Sequence, residues 1–190
     1  MSQLSSKYVR EYAWRMKIRK ITVWAVQIAA AAALAFFCAF FFGQRVTIAE
    51  NSMETTLCSG DKVLMNTLIY KISSPKRGDI IVFNTGDSEN ESLIIKRVIG
   101  LPGETIQIQD GQIIIDGQTY IENDEFPRIN NPGIAEDPVT LDEGEYFVLG
   151  DNRNDSEDSR HLDIGPVDEK QIVGKLWLRY SPAGSFGIIK

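Results

Sequence analysis

A serine and a lysine in two separate segments are the residues of this sequence that could together do chemistry. Ser52 lies in the turn-like stretch at residues 51–57, and Lys96 interrupts the apolar stretch at residues 94–99. A serine hydroxyl is a weak nucleophile at neutral pH and needs a neighbouring base. A lysine can be that base where an apolar environment disfavours its charged form. The pair therefore indicates a serine–lysine hydrolase.

The surroundings of Lys96 favour a neutral amine if its segment is a strand. Successive side chains of a strand point to opposite faces, so Lys96 would share a face with Ile94 and Val98 while Arg97 faces the other way. The other interpretation is an edge-strand lysine that deters aggregation, which is common. On the segment alone, the edge-strand interpretation carries more weight than a catalytic lysine, and the third segment changes that weighting.

A third segment, residues 150–160, is dense in hydrogen-bonding side chains. It reads Gly-Asp-Asn-Arg-Asn-Asp-Ser-Glu-Asp-Ser-Arg and follows an apolar stretch at residues 145–149. Loops that follow strands often carry functional groups. Composition alone also allows a solvated surface loop.

The elements that must position these residues begin with an apolar run near the N-terminus. Residues 21–42 contain no charged side chain, and at the helical rise such a run spans about 33 Å, enough to cross a hydrocarbon core. Six basic residues and the single acid Glu11 precede the run. The positive-inside rule then places the N-terminus in the cytosol. A cleaved secretory signal is the alternative, but its core would be shorter and followed by small residues, whereas this run ends in three phenylalanines.

The sequence thus predicts a single-pass protein of the cell membrane in three parts. These are a cytosolic basic tail over residues 1–20, a transmembrane helix over 21–42 and an extracytoplasmic domain over 43–190. The tail and span hold six of the 20 bases and one of the 26 acids, which leaves the outer domain with 14 bases, 25 acids and a formal charge of −11. An acidic domain argues against nucleic acid as a partner, because binding it needs a basic surface. The predicted partner of the span is the lipid bilayer.

The cysteines and the histidine predict no disulfide framework, no metal site and no cofactor. Cys38 lies in the span and Cys58 outside it, and two cysteines with one histidine do not supply a standard zinc site. Residues 151–162 weakly resemble a calcium loop. Arg153 stands at the third position and Leu162 at the place of the bidentate acid, so calcium is not predicted.

The outer domain is predicted to be mostly β. Asp-Gly pairs at 110–111 and 116–117, set between short apolar runs, are a strong hairpin signal and predict a small β-meander. The predicted strands cover residues 61–65, 79–83, 93–99, 105–109, 112–115, 118–121, 145–149 and 172–180. Residues 104–145 form an insertion region that contains the hairpins, and residues 122–140 within it are predicted to be irregular. No helix is predicted outside the span.

Taken together, these segments resemble the bacterial type I signal peptidases, which are membrane-bound serine–lysine endopeptidases. The resemblance rests on four ordered motifs, namely Ser52-Met53 with Thr56-Leu57 and Gly60-Asp61, then residues 77–83, then residues 96–104, and finally residues 150–153 with Ser156, Asp158, Ser159 and Arg160. Their order and spacing match the family from the span to the C-terminus. The single span and compact outer domain look like the forms found in Gram-positive bacteria.

The resemblance implies a fold, an activity and a role for each site residue. The implied fold is β-rich with antiparallel sheets, and the implied activity removes signal peptides from secreted preproteins after a small-x-small sequence. Ser52 would be the nucleophile and Lys96 the general base, with the backbone N–H of Ser52 as one oxyanion-hole donor. Ser156 would hydrogen-bond and orient the lysine amine. The implied supporting residues are the pair Asp158 and Arg160 together with Arg97 and Asp151. The resemblance leaves a link to the secretion machinery open.

Two positions depart from the family pattern. Thr55 stands where the family usually has proline, which loosens the nucleophile turn. Glu50, two residues before Ser52, stands where the family generally has serine or glycine. A serine hydroxyl there can donate to an oxyanion, whereas an ionised glutamate can only accept. Either a backbone amide replaces that donor, or Glu50 points away, or the enzyme is slow or specialised.

Three alternatives stay open beside this interpretation. A Ser52–His161–Asp163 triad is conceivable, because triads are defined by geometry rather than by order in the chain. A specialised or weakly active paralogue could assist the processing and assembly of pili or surface proteins. A self-cleaving regulator could share the serine–lysine chemistry, although the span and the acidic outer domain count against it.

Overall fold

The computed structural model describes residues 2–85, 93–122 and 126–189, and its first element is one long helix. Helix α1 covers Ser2–Phe42. Its part Trp14–Phe37 is long and apolar enough to cross a membrane, with a mean hydropathy of 1.7 and no burial inside the protein. A helix that is apolar on every side is suited to a nonpolar environment such as a bilayer.

Helix α1 begins earlier than the sequence predicts. Residues 2–20, for which no helix was expected, continue the same helix. The physical reason is that residues 2–42 contain neither glycine nor proline, so no helix breaker separates the basic tail from the apolar run. The helix ends directly before Gly43.

The rest of the chain, residues 41–190, forms a separate compact unit built from strands. The strands are β1 Gln44–Thr47, β2 Lys62–Asn66, β3 Ile80–Asn84, β4 Leu93–Gly100, β5 Thr105–Gln109, β6 Gln112–Ile115, β7 Gln118–Thr119, β8 Val139–Thr140, β9 Glu145–Leu149, β10 Val167–Asp168, β11 Ile172–Ser181 and β12 Gly187–Ile188. Short 3-10 turns cover Ile69–Lys71, Gly133–Glu136, Glu169–Gln171 and Ala183–Ser185. The mostly β class with antiparallel sheets is confirmed.

The larger sheet holds the lysine strand in its interior. Its order is β1-β2-β11-β3-β4-β9-β10, with β12 paired to β11, and the described pairings are antiparallel. Lys96 on β4 pairs with Ile81 on β3, and the next residue, Arg97, pairs with Leu149 at the end of β9. The edge-strand interpretation of Lys96 is therefore wrong. The same register brings the loop that starts at Gly150 to the level of Lys96.

The smaller sheet, of order β7-β6-β5-β8, contains the predicted meander. Asp110 and Gly111 have φ angles of 52° and 73°, and Asp116 and Gly117 have 50° and 77°. Positive φ at both central residues is what a type I′ turn requires, which is why Asp-Gly was a reliable signal.

Three clusters of buried apolar side chains hold the sheets and the site together. Met53 and Leu57, from the turn at residues 51–57 that we call the nucleophile turn, pack with Ile80 and Val82 of β3. The alternate residues of β3 pack in a second cluster with β4, β9 and β10. A third cluster joins the smaller sheet to Ile99 and to β9. The close approach at this junction requires glycine at position 100, where a Cβ would come within 2.8 Å of Ile106 and Leu141.

The strands that the sequence failed to predict are short. They are β1, β8, β10 and β12, of four, two, two and two residues. An element of this length shows no alternation of its own, because it is defined by its hydrogen bonds to a longer neighbour. Strand β8 and the 3-10 turn Gly133–Glu136 lie in the stretch predicted to be irregular.

Candidate active site

The turn that carries Ser52 is fixed at both ends by hydrogen bonds and by buried side chains. Ile48 donates to the carbonyl of Asp61 at 2.9 Å, and Gly60 donates to the carbonyl of Ile48 at 2.8 Å. Within the turn, Leu57 N–H donates to the Met53 carbonyl, and both side chains are buried in the core. Ser52 is thereby held in place at the surface of a packed cluster, with 8% of its area exposed.

Strand β11, which is distant along the chain, also fixes this turn by hydrogen bonds. Arg179 donates through Nη1 to the Thr56 carbonyl and to Asp61 Oδ2, each at 3.0 Å. The same Asp61 oxygen accepts from the Cys58 N–H at 3.1 Å. Asp61 thus links the backbone of the nucleophile turn to β11. No signal in the sequence pointed to Arg179, because the contact joins residues more than 100 positions apart.

Lys96 and Ser52 meet directly. The Lys96 Nζ lies 2.7 Å from Ser52 Oγ, and Lys96 is only 1% exposed. A contact of this length is a hydrogen bond, and it places the amine where it could take up the hydroxyl proton. The distance in sequence between the two residues is 44 positions, so β4 and the nucleophile turn must both be in place for the pair to form.

Burial and nearby carboxylates act in opposite directions on the Lys96 amine. Burial lowers the pKa of Lys96 from its usual value, because the ammonium loses its water. The carboxylates of Glu50, Asp158 and Glu157 favour the ammonium and oppose this change in the pKa. Burial is the larger effect, so a neutral amine is reached at lower pH than in an ordinary lysine.

Glu50 is the acid nearest to the pair. Its Oε2 lies 3.9 Å from Lys96 Nζ, and its side chain is 68% exposed while Lys96 is buried. One option that the sequence left open, a Glu50 side chain that points away from the site, does not fit this distance. Glu50 is an exposed acid that still lies within 3.9 Å of the Lys96 amine.

Arg97 and Asp151 form a buried bidentate pair beside the nucleophile turn. Arg97 Nε and Nη2 donate to the two Asp151 oxygens at 2.7 Å each, and Arg97 Nη2 also lies 3.4 Å from Thr56 Oγ1. The residue after Asp151 completes the link, since Asn152 N–H donates to the Ser52 carbonyl at 3.0 Å. The pair thus links β4, the segment at residues 150–160, here called the polar loop, and the turn that carries Ser52.

Asp158 and Arg160 form a second buried pair at the other end of the polar loop. Arg160 Nε and Nη2 donate to Asp158 Oδ1 and Oδ2 at 2.8 Å each. Asp158 Oδ2 also accepts from the Gly150 N–H, and Arg160 Nη1 donates to the Asn131 carbonyl. Asp158 thus joins the end of the loop to its start at Gly150, and Arg160 joins the loop to Asn131, in the segment that precedes β8.

Ser156 reaches the site without the hydrogen bond that the resemblance implies. Its Oγ is buried, and in the described part of the chain it has no hydrogen-bond partner. It lies against Gly150, so close that a Cβ at that position would overlap it. A bond from Ser156 to the lysine amine stays a prediction.

His161 is beside the polar loop and not on the serine hydroxyl. Its Nδ1 faces the Asp158 N–H at 3.4 Å, and both His161 and Asp163 are exposed. Ser52 Oγ is instead hydrogen-bonded to Lys96. The geometry favours the lysine over the histidine as the base.

Two residues of the insertion region that the sequence did not single out, Glu122 and Phe126, contact Arg153 of the polar loop. Arg153, only 1% exposed, donates to both oxygens of Glu122 and to the Gly150 carbonyl. The Phe126 ring stacks against two guanidinium groups, 4.3 Å from that of Arg153 and 5.4 Å from that of Arg97. In the sequence, the only signal was the arginine at position 153 of the motif. That Glu122 and Phe126 are its partners becomes clear only in the folded domain.

Two cavities adjoin Ser52 and share Ala49, Glu50 and Ser52 in their walls. The smaller has a volume of about 190 Å³ and is mainly apolar, with Ile48, Met53 and Ile95 among its lining residues. The larger, of about 820 Å³, is lined by polar and charged side chains of the polar loop and by Asn130, Asn131 and Gly133. Within the described ranges, no three His, Cys, Asp or Glu side chains converge as a metal site would require.

An apolar pocket beside a buried serine–lysine pair is an arrangement suited to hydrolysis of a peptide by lysine-assisted serine chemistry. The model of the family described as signal peptidase, peptidase S26, matches residues 21–181 of the chain. This chain belongs to that family.

Known proteins of this family cover most of the chain. Signal peptidase I of Leptolyngbya laminosa is 37% identical over 154 residues, which are 77% of this chain and 73% of that protein. Signal peptidase IB of Staphylococcus aureus is 30% identical over 183 residues, 88% of this chain and 93% of that protein. The crystal structure of a signal peptidase I from Enterococcus faecalis V583 matches with a TM-score of 0.42 and 33% identity, and it covers 55% of this chain and 98% of the solved one.

Proposed function

We propose that this protein is a membrane-anchored serine endopeptidase that removes signal peptides from exported preproteins, with Ser52 as nucleophile and Lys96 as general base. The observation that carries the proposal is the 2.7 Å contact between the buried Lys96 amine and the Ser52 hydroxyl, in a chain of the signal peptidase family. The relatives named signal peptidase I support the same activity.

The proposed reaction uses the two residues in turn. Neutral Lys96 accepts the hydroxyl proton as Ser52 Oγ attacks the carbonyl carbon of the scissile bond. The ammonium returns the proton to the leaving amine, the C–N bond breaks, and the signal peptide remains on Ser52 as an ester. A water molecule that gives a proton to Lys96 then attacks the ester carbonyl. The C–O bond to Ser52 breaks, the Lys96 ammonium returns the proton to Ser52 Oγ, and the signal peptide leaves as a carboxylic acid.

The Ser52 backbone is suited to stabilise the negative charge that develops on the carbonyl oxygen. Among residues 2–85, 93–122 and 126–189, the Ser52 N–H has no acceptor. A free N–H next to the nucleophile is the kind of donor an oxyanion hole needs. Arg97, Asp151, Asp158 and Arg160 are assigned supporting roles, since their buried pairs hold the loop that contacts Ser52.

The two cavities fit a substrate cut after a small side chain. The apolar pocket of about 190 Å³ beside Ser52 has room for a small residue and little polar lining to satisfy a charged one. We assign it to the small residues that precede the scissile bond in a small-x-small sequence. The larger polar cavity would then bind the substrate residues that follow the scissile bond, which is the leaving side of the substrate.

The helix supports a membrane anchor, and we propose that the N-terminus is cytosolic. Basic residues precede its apolar part, and the outer unit is acidic, which fits the positive-inside rule. The proposed partners are the bilayer and preproteins, with no nucleic acid. A link to the secretion machinery belongs to the same proposal. The paralogue that only assists assembly is not favoured, because the buried serine–lysine contact is intact.

The test is to incubate the detergent-solubilised full chain with a panel of preproteins and to sequence the new N-termini. We expect cleavage after a small-x-small sequence. Ser52→Ala and Lys96→Met should each lower the rate by about four orders of magnitude or more, and the double variant should resemble either single one, because the members of such a unit are not additive. A single variant with near wild-type activity would refute the assignment of the pair.

A further inference from the structure

Glu50 is placed to sense the charge of the substrate. It lines both cavities at Ser52, its side chain is 68% exposed, and its carboxylate is 3.9 Å from the Lys96 amine. An incoming chain can therefore reach the carboxylate, which itself lies close to the buried amine. Few positions combine access to the substrate with a direct effect on the catalytic base.

The larger cavity offers negative charge to its occupant. Its two arginines are buried and already paired, Arg153 with Glu122 and Arg160 with Asp158. The carboxylates that line it and stand exposed are Glu50, Asp155 and Glu157, and the exposed His161 lines the same cavity. A cationic group that enters this cavity meets carboxylates, and an acidic one is repelled.

We propose that Glu50 is a specificity residue that pairs with a lysine or arginine side chain among the first three residues after the scissile bond. This inference rests on the proposed function and on the assignment of the polar cavity to the leaving side. Three extended residues span about 10 Å, which limits the pairing to side chains close to Ser52. When the basic side chain pairs with the Glu50 carboxylate, that carboxylate also stabilises the Lys96 ammonium less.

The consequence for the base follows from the groups that face it. Glu50, Asp158 and Glu157 all favour the Lys96 ammonium, while burial favours the neutral amine. Asp158 is already engaged by Arg160, so Glu50 is the exposed acid in contact whose charge a substrate can neutralise. A basic substrate would thus raise the fraction of Lys96 that is neutral at a given pH.

The test uses matched preproteins that carry lysine or glutamine at the first, second or third residue after the cleavage site, with the full chain in detergent. For the wild type we expect kcat/KM to be about two- to fivefold higher for at least one lysine substrate, as for an exposed ion pair. High salt should reduce this preference, since exposed charges are screened. The Glu50→Gln variant should lose the preference and should reach half-maximal kcat/KM on the glutamine substrate at lower pH.

The control is Glu143→Gln, which removes a carboxylate from an exposed turn between β8 and β9 outside both cavities. It should keep both the lysine preference and the pH profile. Equal kcat/KM for lysine and glutamine at all three positions overturns the inference, and so does a preference that survives in Glu50→Gln. If the glutamine substrates are cleaved after small-x-small sequences, the proposed function stands whatever the lysine result. If none of the preproteins is cleaved, the proposed function fails, and this inference fails with it.

Discussion

The Lys96 amine is subject to two opposing effects, because it is buried and also lies within 3.9 Å of an exposed carboxylate. Burial lowers the pKa of Lys96, while Glu50, Asp158 and Glu157 oppose this. If neutral Lys96 is the base, as we propose, kcat/KM should increase as the pH rises from acid through neutral towards alkaline values. The pH profile measured for His161→Ala should match that of the wild type. If the alkaline rise disappears in that variant, histidine rather than lysine is the base.

The same lowered pKa affects stability. Between the lowered pKa and the ordinary lysine value of about 10.4, the unfolded chain binds this proton and the folded protein does not. The contribution of Lys96 to the free energy of unfolding therefore increases with pH through that range. At neutral pH the buried amine costs stability, which Lys96→Met, of similar length, removes.

We therefore expect Lys96→Met to have a higher Tm than the wild type at neutral pH. The gain should shrink as the pH approaches the ordinary lysine value, where the amine is neutral in both states. Thermal melts of both proteins at several pH values measure this. A Tm gain that does not change with pH would contradict the explanation that the protonation of Lys96 causes the difference in stability.

At the residue scale, the sequence predicted the identity of the functional residues better than their contacts. Ser52 and Lys96 could be singled out because a lysine is unusual in an apolar run and because both residues lie in segments that resemble the motifs of the family. Ser156 has no hydrogen-bond partner in the described part of the chain, although the resemblance implied one. The distance of Glu50 from Lys96 depends on the course of the turn, which no local pattern encodes.

At the scale of elements, the polar loop depends on a glycine that has no room for a side chain. A Cβ at Gly150 would overlap Ser156 Oγ and lie 2.6 Å from the Ser52 carbonyl oxygen. Gly150→Ala should therefore displace the loop or the nucleophile turn. We expect a loss of about 1–3 kcal/mol in the free energy of unfolding, as for other overpacked sites, and a decrease in kcat of tenfold or more, since reaction rates are sensitive to small shifts of the nucleophile.

Gly184→Ala is the matched control, because a Cβ at Gly184 has no atom within 4 Å. Denaturant unfolding and steady-state kinetics of the two variants compare the same chemical change in a crowded and an open position. Equal effects of the two substitutions would show that the contact with Ser156 and Ser52 is not what position 150 requires.

The elements themselves differ in how far local sequence could predict them. Strands β5 and β6 were predicted over their full length, because alternation and the Asp-Gly turn act within a few residues. Strand β8 was not, because its two residues pair with β5 more than 30 positions away. The stack of Phe126 between Arg97 and Arg153 is of the same kind, since it joins three segments that meet only in the folded domain.

At the scale of the whole molecule, the chain consists of two compact units, residues 1–40 and residues 41–190, with the candidate site in the second. Residues 44–47 pair with β2 as an edge strand, so a chain that starts at residue 43 retains every strand of the outer unit. The anchor therefore should contribute little to the folding of the site. Its contribution should be to the encounter with substrate.

Deletion of residues 1–42 should accordingly give a soluble protein that cleaves a short peptide with the same kcat/KM as the full chain. Its cleavage of preproteins embedded in vesicles should be much slower, because confinement of enzyme and substrate to one bilayer raises their effective concentration. Fusion of residues 43–190 to an unrelated single-span helix is the control, and it should restore the rate on vesicles if only confinement matters. Full restoration would assign the helix an anchoring role alone, whereas failure of the fusion would assign a further role to the sequence of α1. Equal rates on vesicles with and without any anchor would refute the effect of confinement.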